Sequence, residues 1–182
     1  MKVGIVSDSH DNRTLLKLAA EDAVAHGAEA FFHCGDVVSP NTLWVFQPLG
    51  KPVHVIHGNN QGDLNNMYAL VNKPDSVVNY HGQDAAFEIS GKRVFLVHYP
   101  HYAEALALTG DYDLVCCGHD HKASVKEVSN VKGGSTTLAN PGTAAGIGAQ
   151  PTYILADLDD MSFEVMDVPV PEGYQASILK KP

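Results

Sequence analysis

The sequence predicts an α/β fold with two β-sheets that are partly parallel and have helices on the outside. In the first third of the 182 residues, short apolar runs of strand type alternate with segments of helical periodicity. In the last third, strand-like segments follow one another, with Gly-rich turns between them. Alternation is typical of parallel strands joined by helices, and a run of strands is typical of antiparallel pairing. Because no repeat or low-complexity linker interrupts the chain, we predict one domain over residues 1–182, with 169–182 as a C-terminal tail.

The first elements are a strand, a helix and a second strand. Residues 2–6 and 30–34 are apolar runs of strand length. Between them, apolar residues recur at i, i+4, i+7 and i+8, namely Leu16, Ala20, Ala23 and Val24. This spacing predicts a helix with one buried face, and a glycine that is suited to end it follows at position 27.

A second helix is predicted from its first residues. Ser39 is a typical N-cap and Pro40 suits the first helical position. Leu43 and Phe46 would then lie on one face, and Pro48 would end the helix.

A third strand at residues 53–56 leads to another helix. Asp63 can cap that helix. Its apolar residues recur at i, i+3, i+4 and i+7, and they are Leu64, Met67, Tyr68 and Val71. We therefore predict a third strand and helix that continue the alternation.

The remaining elements are mostly strands. Residues 85–89 and 93–97 flank a Ser-Gly-Lys turn and predict a hairpin. A short helix over residues 100–109 ends at Gly110, and residues 114–117 form a buried strand. Beyond residue 121 we predict a β-meander with strands at 124–131, 135–139, 153–157 and 162–168.

Composition excludes several classes of function. With 21 acidic and 12 basic residues the net charge is -9, and without a Lys/Arg cluster we expect no nucleic acid partner. No apolar run is long enough for a transmembrane helix, so we expect no membrane partner, and the N-terminus turns polar too early for a signal peptide. The 3 cysteines, Cys34, Cys116 and Cys117, form no disulfide pattern, so the expected location is cytoplasmic.

Polar residues that can bind metal ions follow five of the apolar runs directly. Ligands of α/β sheets bind where strands end at their carboxyl edge, so these residues converge if the five strands are neighbours. Four of the chain's 10 histidines belong to this set. The converging residues are Asp8, His10, Asp36, Asn59, His98, His119 and His121.

This set has the chemistry of a site for two metal ions. Two carboxylates, one amide oxygen and four imidazoles exceed what one tetrahedral zinc needs, but they suit two ions of higher coordination number. Asp36 can bridge such ions, because each of its oxygens can face a different cation. Two ions about 3.5–4 Å apart stabilise the attacking and leaving oxygens of an in-line displacement and lower the pKa of bound water to about 7.

Each of these residues also has a simpler interpretation. Asp8 or Asp11 can cap the first helix, and a histidine taken singly is more often a surface or core residue than a ligand. The prediction of a metal site therefore depends on the coincidence that five separate apolar runs are each followed by residues of ligand type and by glycines.

The motifs in this order resemble the calcineurin-like metallophosphoesterases, and more narrowly their small YfcE/Vps29-like phosphodiesterase branch. The resemblance spans residues 2–168 and includes a turn at 140–143 similar to the Asn-Pro-Gly-Ser turn of that branch. The motifs that carry it are Asp8-x-His10, Gly35-Asp36, Gly58-Asn59, His98 and Gly118-His119-x-His121.

The resemblance implies a four-layer α/β sandwich with two mixed β-sheets flanked by helices. It also implies two divalent metal ions, which can be Mn, Fe, Ni, Co or Zn. The first ion would be held by Asp8, His10, Asp36 and His121. The second would be held by Asp36, Asn59, His98 and His119.

One departure from the family pattern concerns the residue after Asn59. Position 60 is asparagine, whereas phosphoprotein phosphatases have there a histidine that protonates the leaving group. Such a general acid increases the reaction rate by about 10²–10⁴-fold. His57 and His101 are candidate substitutes for it. We expect Asn60 to contact the substrate, and Arg13 can reach a phosphate, although a surface arginine is the alternative for Arg13.

A second departure is at His98, where the branch commonly continues with glycine. Here the sequence continues with Tyr99 and Pro100. Proline fixes this loop, so the departure concerns access to the second metal rather than the ligand itself.

We therefore predict a metal-dependent phosphodiesterase that hydrolyses a P–O bond of a small phosphoester with a hydroxide that bridges two metal ions. Asn59 and His119 would be the catalytic residues beside the attacked phosphate. The alternatives are a phosphomonoesterase of the same fold, a hydrolase with one metal ion, and a catalytically weak, Vps29-like interaction scaffold. A homo-oligomer is also left open by the sequence.

Overall fold

A computed structural model describes residues 1–174 of the chain. The end of the predicted tail, residues 175–182, lies outside the described residues. The strands are β1 (Lys2–Val6), β2 (Ala30–His33), β3 (Val53–Val55), β4 (Val78–Tyr80), β5 (Ala85–Ile89), β6 (Lys92–Leu96), β7 (Leu114–Cys116), β8 (Ser124–Ser129), β9 (Ser135–Asn140), β10 (Thr152–Asp157) and β11 (Ser162–Asp167). The α-helices are α1 (Arg13–Ala25), α2 (Leu64–Val71) and α3 (Pro100–Thr109). None of the helices in the described range is long and apolar enough to cross a membrane.

The strands form two mixed sheets. The first sheet has six strands in the order β11-β10-β1-β2-β3-β4, of which β1 to β4 are parallel. The second has five strands in the order β5-β6-β7-β9-β8, and its central strands β6, β7 and β9 are parallel. In both sheets the parallel strands therefore carry their carboxyl ends to one edge.

The two sheets pack face to face with helices on their outer surfaces. Ile5 and Phe32 of the first sheet pack against Leu96 and Leu114 of the second in one buried cluster. Helices α1 and α2 cover the other face of the first sheet, and α3 covers the other face of the second. This arrangement has four layers, as the family resemblance implies.

Capping side chains account for the helix boundaries. The Asn12 side chain accepts a hydrogen bond from the Leu15 amide (3.1 Å) at the start of α1, so neither Asp8 nor Asp11 is the cap. Asp63 caps α2 as predicted, because its carboxylate accepts from the Asn66 amide (3.0 Å). Helix α3 begins with Pro100 and ends at Gly110 in the left-handed conformation (φ 69°).

The helix predicted from Ser39 is wrong in type. The chain forms two short 3₁₀ helices instead, Pro40–Val45 and Gln47–Leu49, and the Ser39 side chain makes no capping hydrogen bond. Pro48 is the second residue of the second of these helices rather than the end of the first. The two prolines, Pro40 and Pro48, favour such short pieces, since each one lacks a backbone donor.

The predicted β-meander is also incorrect. Of the four strands predicted for the meander, β8 and β9 form a hairpin in the second sheet, whereas β10 crosses over to the first sheet, where it pairs with β1 and with β11. Strand β4 has no counterpart among the predicted strands, and it adds a parallel edge beside β3. These pairings join segments far apart in sequence, so local periodicity carries no information about them.

Candidate metal centre

The carboxyl ends of five strands from both sheets meet at one place. Within the first sheet, the Asp8 amide donates to the Gly35 carbonyl (3.0 Å) and the Asp36 amide to the His57 carbonyl (2.9 Å), which joins the loops after β1, β2 and β3. In the second sheet, the Gly118 amide donates to the His98 carbonyl (3.0 Å). Backbone hydrogen bonds therefore hold the loops that carry the predicted ligands.

A first group of side chains surrounds Asp8, which is fully buried. The Asp8 Oδ1 atom lies 3.7 Å from His10 Nε2 and 3.3 Å from His121 Nε2. The two imidazole nitrogens are themselves only 3.4 Å apart. These three residues bring ligand atoms within the reach of one metal ion.

Asp36 connects this group to a second one. Its Oδ2 atom lies 3.8 Å from His10 Nε2, whereas its Oδ1 atom lies 3.4 Å from His98 Nε2. Both Asp36 and His98 are only 2% exposed. The two oxygens of one carboxylate thus face different imidazoles, which is the geometry that a bridging ligand needs.

Asn59 and His119 complete the second group on its exposed side. The Asn59 Oδ1 atom lies 2.9 Å from His98 Nε2 and 2.9 Å from His119 Nδ1. The His119 amide donates to Asp8 Oδ2 (2.9 Å), so the backbone of this loop also contacts the first group. The structure therefore brings together all seven residues of the predicted set.

Backbone carbonyls fix the orientation of two of the imidazoles. His98 Nδ1 lies 2.8 Å from the Cys34 carbonyl, and His121 Nδ1 lies 2.7 Å from the Ile147 carbonyl. A carbonyl can only accept, so Nδ1 carries a proton, and in the neutral imidazole the Nε2 lone pair faces the centre.

This arrangement fits divalent cations. Asp8 Oδ1 is buried and no hydrogen-bond donor reaches it among residues 1–174. Carboxylate oxygens and imidazole nitrogens converge on the space around this atom, and a buried polar atom without a partner is costly. A bound cation would satisfy them together.

The electrostatics of the site keep both carboxylates charged. Burial alone would raise the pKa of Asp8, but protonated imidazoles of His10 and His121 beside it would hold that pKa well below its usual range, and a bound cation in place of those protons acts in the same direction. Burial likewise opposes ionisation of Asp36, whereas His98 and hydrogen bonds from Asn60 lower its pKa below the usual value. Two ionised carboxylates in a largely buried site favour metal binding.

The backbone is strained at the same residues. Asp8 (φ 52°), Asp36 (φ 56°), His119 (φ 74°) and His121 (φ 61°) all adopt left-handed conformations that residues with a side chain rarely occupy. Strain of this kind costs about 1–3 kcal/mol per residue and is concentrated at functional sites. It is therefore a second, independent indication that these loops serve a function.

The two predicted substrate contacts lie in different surroundings. Asn60 donates to both oxygens of Asp36, through its amide (2.8 Å) and its side chain (2.6 Å). Arg13 is exposed at the start of α1 and lines a cleft of about 300 Å³ together with His10. Of the candidate substitute acids, His57 lies 2.6 Å from the Tyr80 hydroxyl and lines another cleft beside Asn59.

Asn140 contributes to the site, although the sequence identified it only as the first residue of the turn at 140–143. Its side-chain amide donates to the Gly118 carbonyl (3.1 Å) and to Asp120 Oδ1 (2.9 Å), and so holds the loop that carries His119 and His121. The signal that could have found it is the parallel pairing of β9 with β7, since Asn140 ends β9 at the same sheet edge.

Comparison with known proteins agrees with this geometry. The chain is 28% identical over 169 residues to phosphodiesterase MJ0936 of Methanocaldococcus jannaschii, a match that covers 90% of this chain and 96% of that protein. The structure of an archaeal phosphodiesterase superposes with a TM-score of 0.79 at 25% identity, covering 92% of this chain and 99% of the other. YfcE, a phosphoesterase from E. coli, shares the fold with a TM-score of 0.62 at 18% identity, covering 92% and 100%.

The family model for the calcineurin-like phosphoesterase superfamily domain matches residues 1–161. That range contains every residue of the metal centre described above and both β-sheets except β11. The chain belongs to the calcineurin-like phosphoesterase superfamily.

Proposed function

We propose that the protein is a divalent-metal-dependent phosphodiesterase that hydrolyses a P–O bond at a centre for two ions. The observation that carries this proposal is Asp36, whose two oxygens face His98 (3.4 Å) and His10 (3.8 Å) separately. Relatives named as phosphodiesterases, including one that covers 90% of this chain, support a diester rather than a monoester.

Two ligand sets would hold the ions, and they share Asp36. Mixed nitrogen and oxygen ligands suit Mn, Fe, Ni, Co or Zn. When bound, two divalent cations would offset the charge of the phosphate and lower the pKa of water to near neutrality. The first set is Asp8, His10, Asp36 and His121, and the second is Asp36, Asn59, His98 and His119.

The other polar residues would position the phosphate and the ligands. Asn59 and His119 lie on the exposed side of the centre, where a phosphate that enters from solvent meets them first. Arg13 lies in a cleft with His10 and can donate hydrogen bonds to a phosphate oxygen. Asn60 contacts both oxygens of Asp36, so its contribution would be to fix the orientation of that carboxylate.

The substitution Asp36→Asn tests the two-ion proposal. We expect the unmodified protein to bind two equivalents of Mn²⁺ in calorimetric titration and to hydrolyse bis(p-nitrophenyl) phosphate faster than p-nitrophenyl phosphate. Loss of a residue that only hydrogen-bonds to a metal ligand typically lowers metal affinity about 10–100-fold. Asp36→Asn should lower Mn²⁺ affinity by more than this, because it removes a charge that both ions share. It should also abolish nearly all turnover.

Asp75→Asn is the matched control, since Asp75 is an exposed aspartate that lines a different cleft, beside Trp44 and Lys73, which contains no residue of the centre. Binding of one equivalent of Mn²⁺ would show a centre for one ion. Faster hydrolysis of the monoester would show a phosphomonoesterase. Full diesterase activity in Asp36→Asn would contradict the mechanism altogether.

A further inference from the structure

A cleft of about 650 Å³ opens directly beside the candidate metal centre. Asn59 and His98, two of the proposed ligands of the second ion, form part of its lining. Its volume falls within the roughly 300–1,000 Å³ of typical small-molecule sites. A substituent on a phosphate bound at Asn59 would therefore extend into this cleft.

Part of the cleft lining is aromatic and aliphatic. Phe95 from β6 and Tyr102 and Leu106 from α3 line it. The Tyr102 ring meets the Tyr99 ring edge to face, with centroids 5.8 Å apart at 89°, and it remains 52% exposed. An exposed ring that a neighbour holds in place offers a surface on which a flat group can stack.

Other residues of the cleft lining are polar, but none of them carries a permanent positive charge. Gln61 and Gln83 supply amide donors and acceptors, and Asp84 supplies a carboxylate. Among the described residues that line the cleft, none is lysine or arginine. A second phosphate group would meet Asp84 without a cation to balance it, so the cleft suits an uncharged ring with a polar edge.

We propose that this cleft binds the base of a phosphodiester that carries one nucleoside, with the ring stacked on Tyr102 and its polar edge toward Gln61 and Gln83. This inference rests on the proposed phosphodiesterase function, because it assigns the substituent of that substrate. A single nucleoside fits better than a nucleic acid polymer, since the chain carries a net charge of -9 and the cleft has no cation for further phosphates.

The test compares two phosphates that differ only in the base. Calorimetric titration of the Mn²⁺-loaded protein should show adenosine 5′-monophosphate binding at least about tenfold more tightly than ribose 5-phosphate, which is the scale of stacking one base on an aromatic ring. Tyr102→Ala should remove most of this preference, and Gln83→Ala should reduce it. Tyr68→Ala is the matched control, because Tyr68 is 56% exposed but does not line the cleft.

Equal affinity for the two phosphates would overturn the assignment, as would an unchanged preference in Tyr102→Ala. Tighter binding of phosphocholine than of adenosine 5′-monophosphate would also overturn it, because the rings and Asp84 would then be selecting a cation. Hydrolysis of methyl p-nitrophenyl phosphate, which has no base, tests the proposed function separately. Base preference without this hydrolysis would leave a nucleotide-binding cleft and refute the phosphodiesterase, whereas the reverse result would refute the cleft assignment alone.

Discussion

Gly118 shows how closely the loops of the candidate metal centre approach one another. A Cβ atom at this position would overlap Ser7 Oγ and would lie 2.6 Å from Asp8 Oδ2. Both Ser7 and Asp8 are fully buried, so neither side chain can move aside into solvent. The glycine before His119 is therefore required by the space between the two sheets.

We predict that Gly118→Ala displaces Asp8 and lowers Mn²⁺ affinity by about 10–100-fold, as loss of an orienting contact does. Overpacking should also lower the free energy of unfolding by about 1–3 kcal/mol. Calorimetric titration and urea unfolding measure the two effects. Gly134→Ala is the control, because the nearest atom to its added methyl group lies 3.7 Å away, and an equal loss of affinity there would contradict the prediction.

The convergence of the seven candidate ligands could be predicted from the sequence because each follows closely after an apolar strand. The contacts that orient them could not be predicted in this way. His98 and His121 donate to the backbone carbonyls of Cys34 and Ile147. Every residue has such a carbonyl, so the residue type does not reveal the contact. Asn60 was expected to contact substrate, but nothing local showed that Asp36 lies within hydrogen-bonding distance of its side chain.

Helix α2 was predicted from the sequence, but the role of Asp63 at its start still needs an experiment. Its carboxylate accepts from the amide and the side chain of Asn66 at the start of α2, as the sequence predicts for a helix cap, and a carboxyl group can also serve as a general acid. Asp63→Ala should lower the free energy of unfolding by about 0.5–2 kcal/mol, the usual cost of a lost N-cap. Thermal unfolding measures the change.

Asp63→Ser separates the two roles of this residue, since serine caps a helix without supplying a carboxylate. We expect Asp63→Ser to unfold at nearly the same temperature as the unmodified protein and both variants to keep full diesterase activity. A loss of turnover in Asp63→Ser at unchanged stability would instead show that the carboxylate takes part in catalysis.

Helices with clear periodicity and short apolar strands were predicted correctly from the sequence. The segment after Ser39 was predicted as one helix because its apolar spacing fits a helical turn, but Pro40 and Pro48 leave only 3₁₀ pieces. Strand β4 was missed because Val78–Tyr80 has a single buried residue, and three residues show no alternation. The strand is defined by its backbone pairing with β3, which a sequence pattern does not show.

For the whole molecule, the sequence indicated two sheets but not which strands belong to each. Strand β10 follows β9 in the chain and yet pairs with β1, about 150 residues away. This choice depends on the burial of residues such as Ile154 between the sheets, where they contact Ile5 and Leu96 in one cluster. Such long-range pairing is set by packing, which a local pattern does not record.

The stability of the whole molecule depends on pH through His33, which is fully buried at the end of β2. Its Nδ1 atom accepts a hydrogen bond from the Gly35 amide (3.3 Å), so Nε2 carries the proton and donates to Ser9 Oγ (2.9 Å). A second proton on Nδ1 would break the contact with Gly35. Burial is the largest cause that keeps the imidazole neutral, and it lowers the pKa of His33 to about 4 although the carboxylates of Asp8 and Asp36 oppose the shift.

Because the pKa of His33 is lower in the folded state than the 6.5 of an unfolded chain, the unfolded state binds more protons between pH 6.5 and pH 4. We therefore predict full stability above pH 6.5 and a loss of about 2–3 kcal/mol from this residue as the pH falls to 4. Urea unfolding with a chelator present, measured at intervals from pH 4 to 8, should show this slope. His33→Gln keeps hydrogen-bonding groups but cannot titrate, so in this variant the loss of unfolding free energy toward pH 4 should be smaller by the same amount. An unchanged pH dependence in this variant would show that other groups control the acid sensitivity.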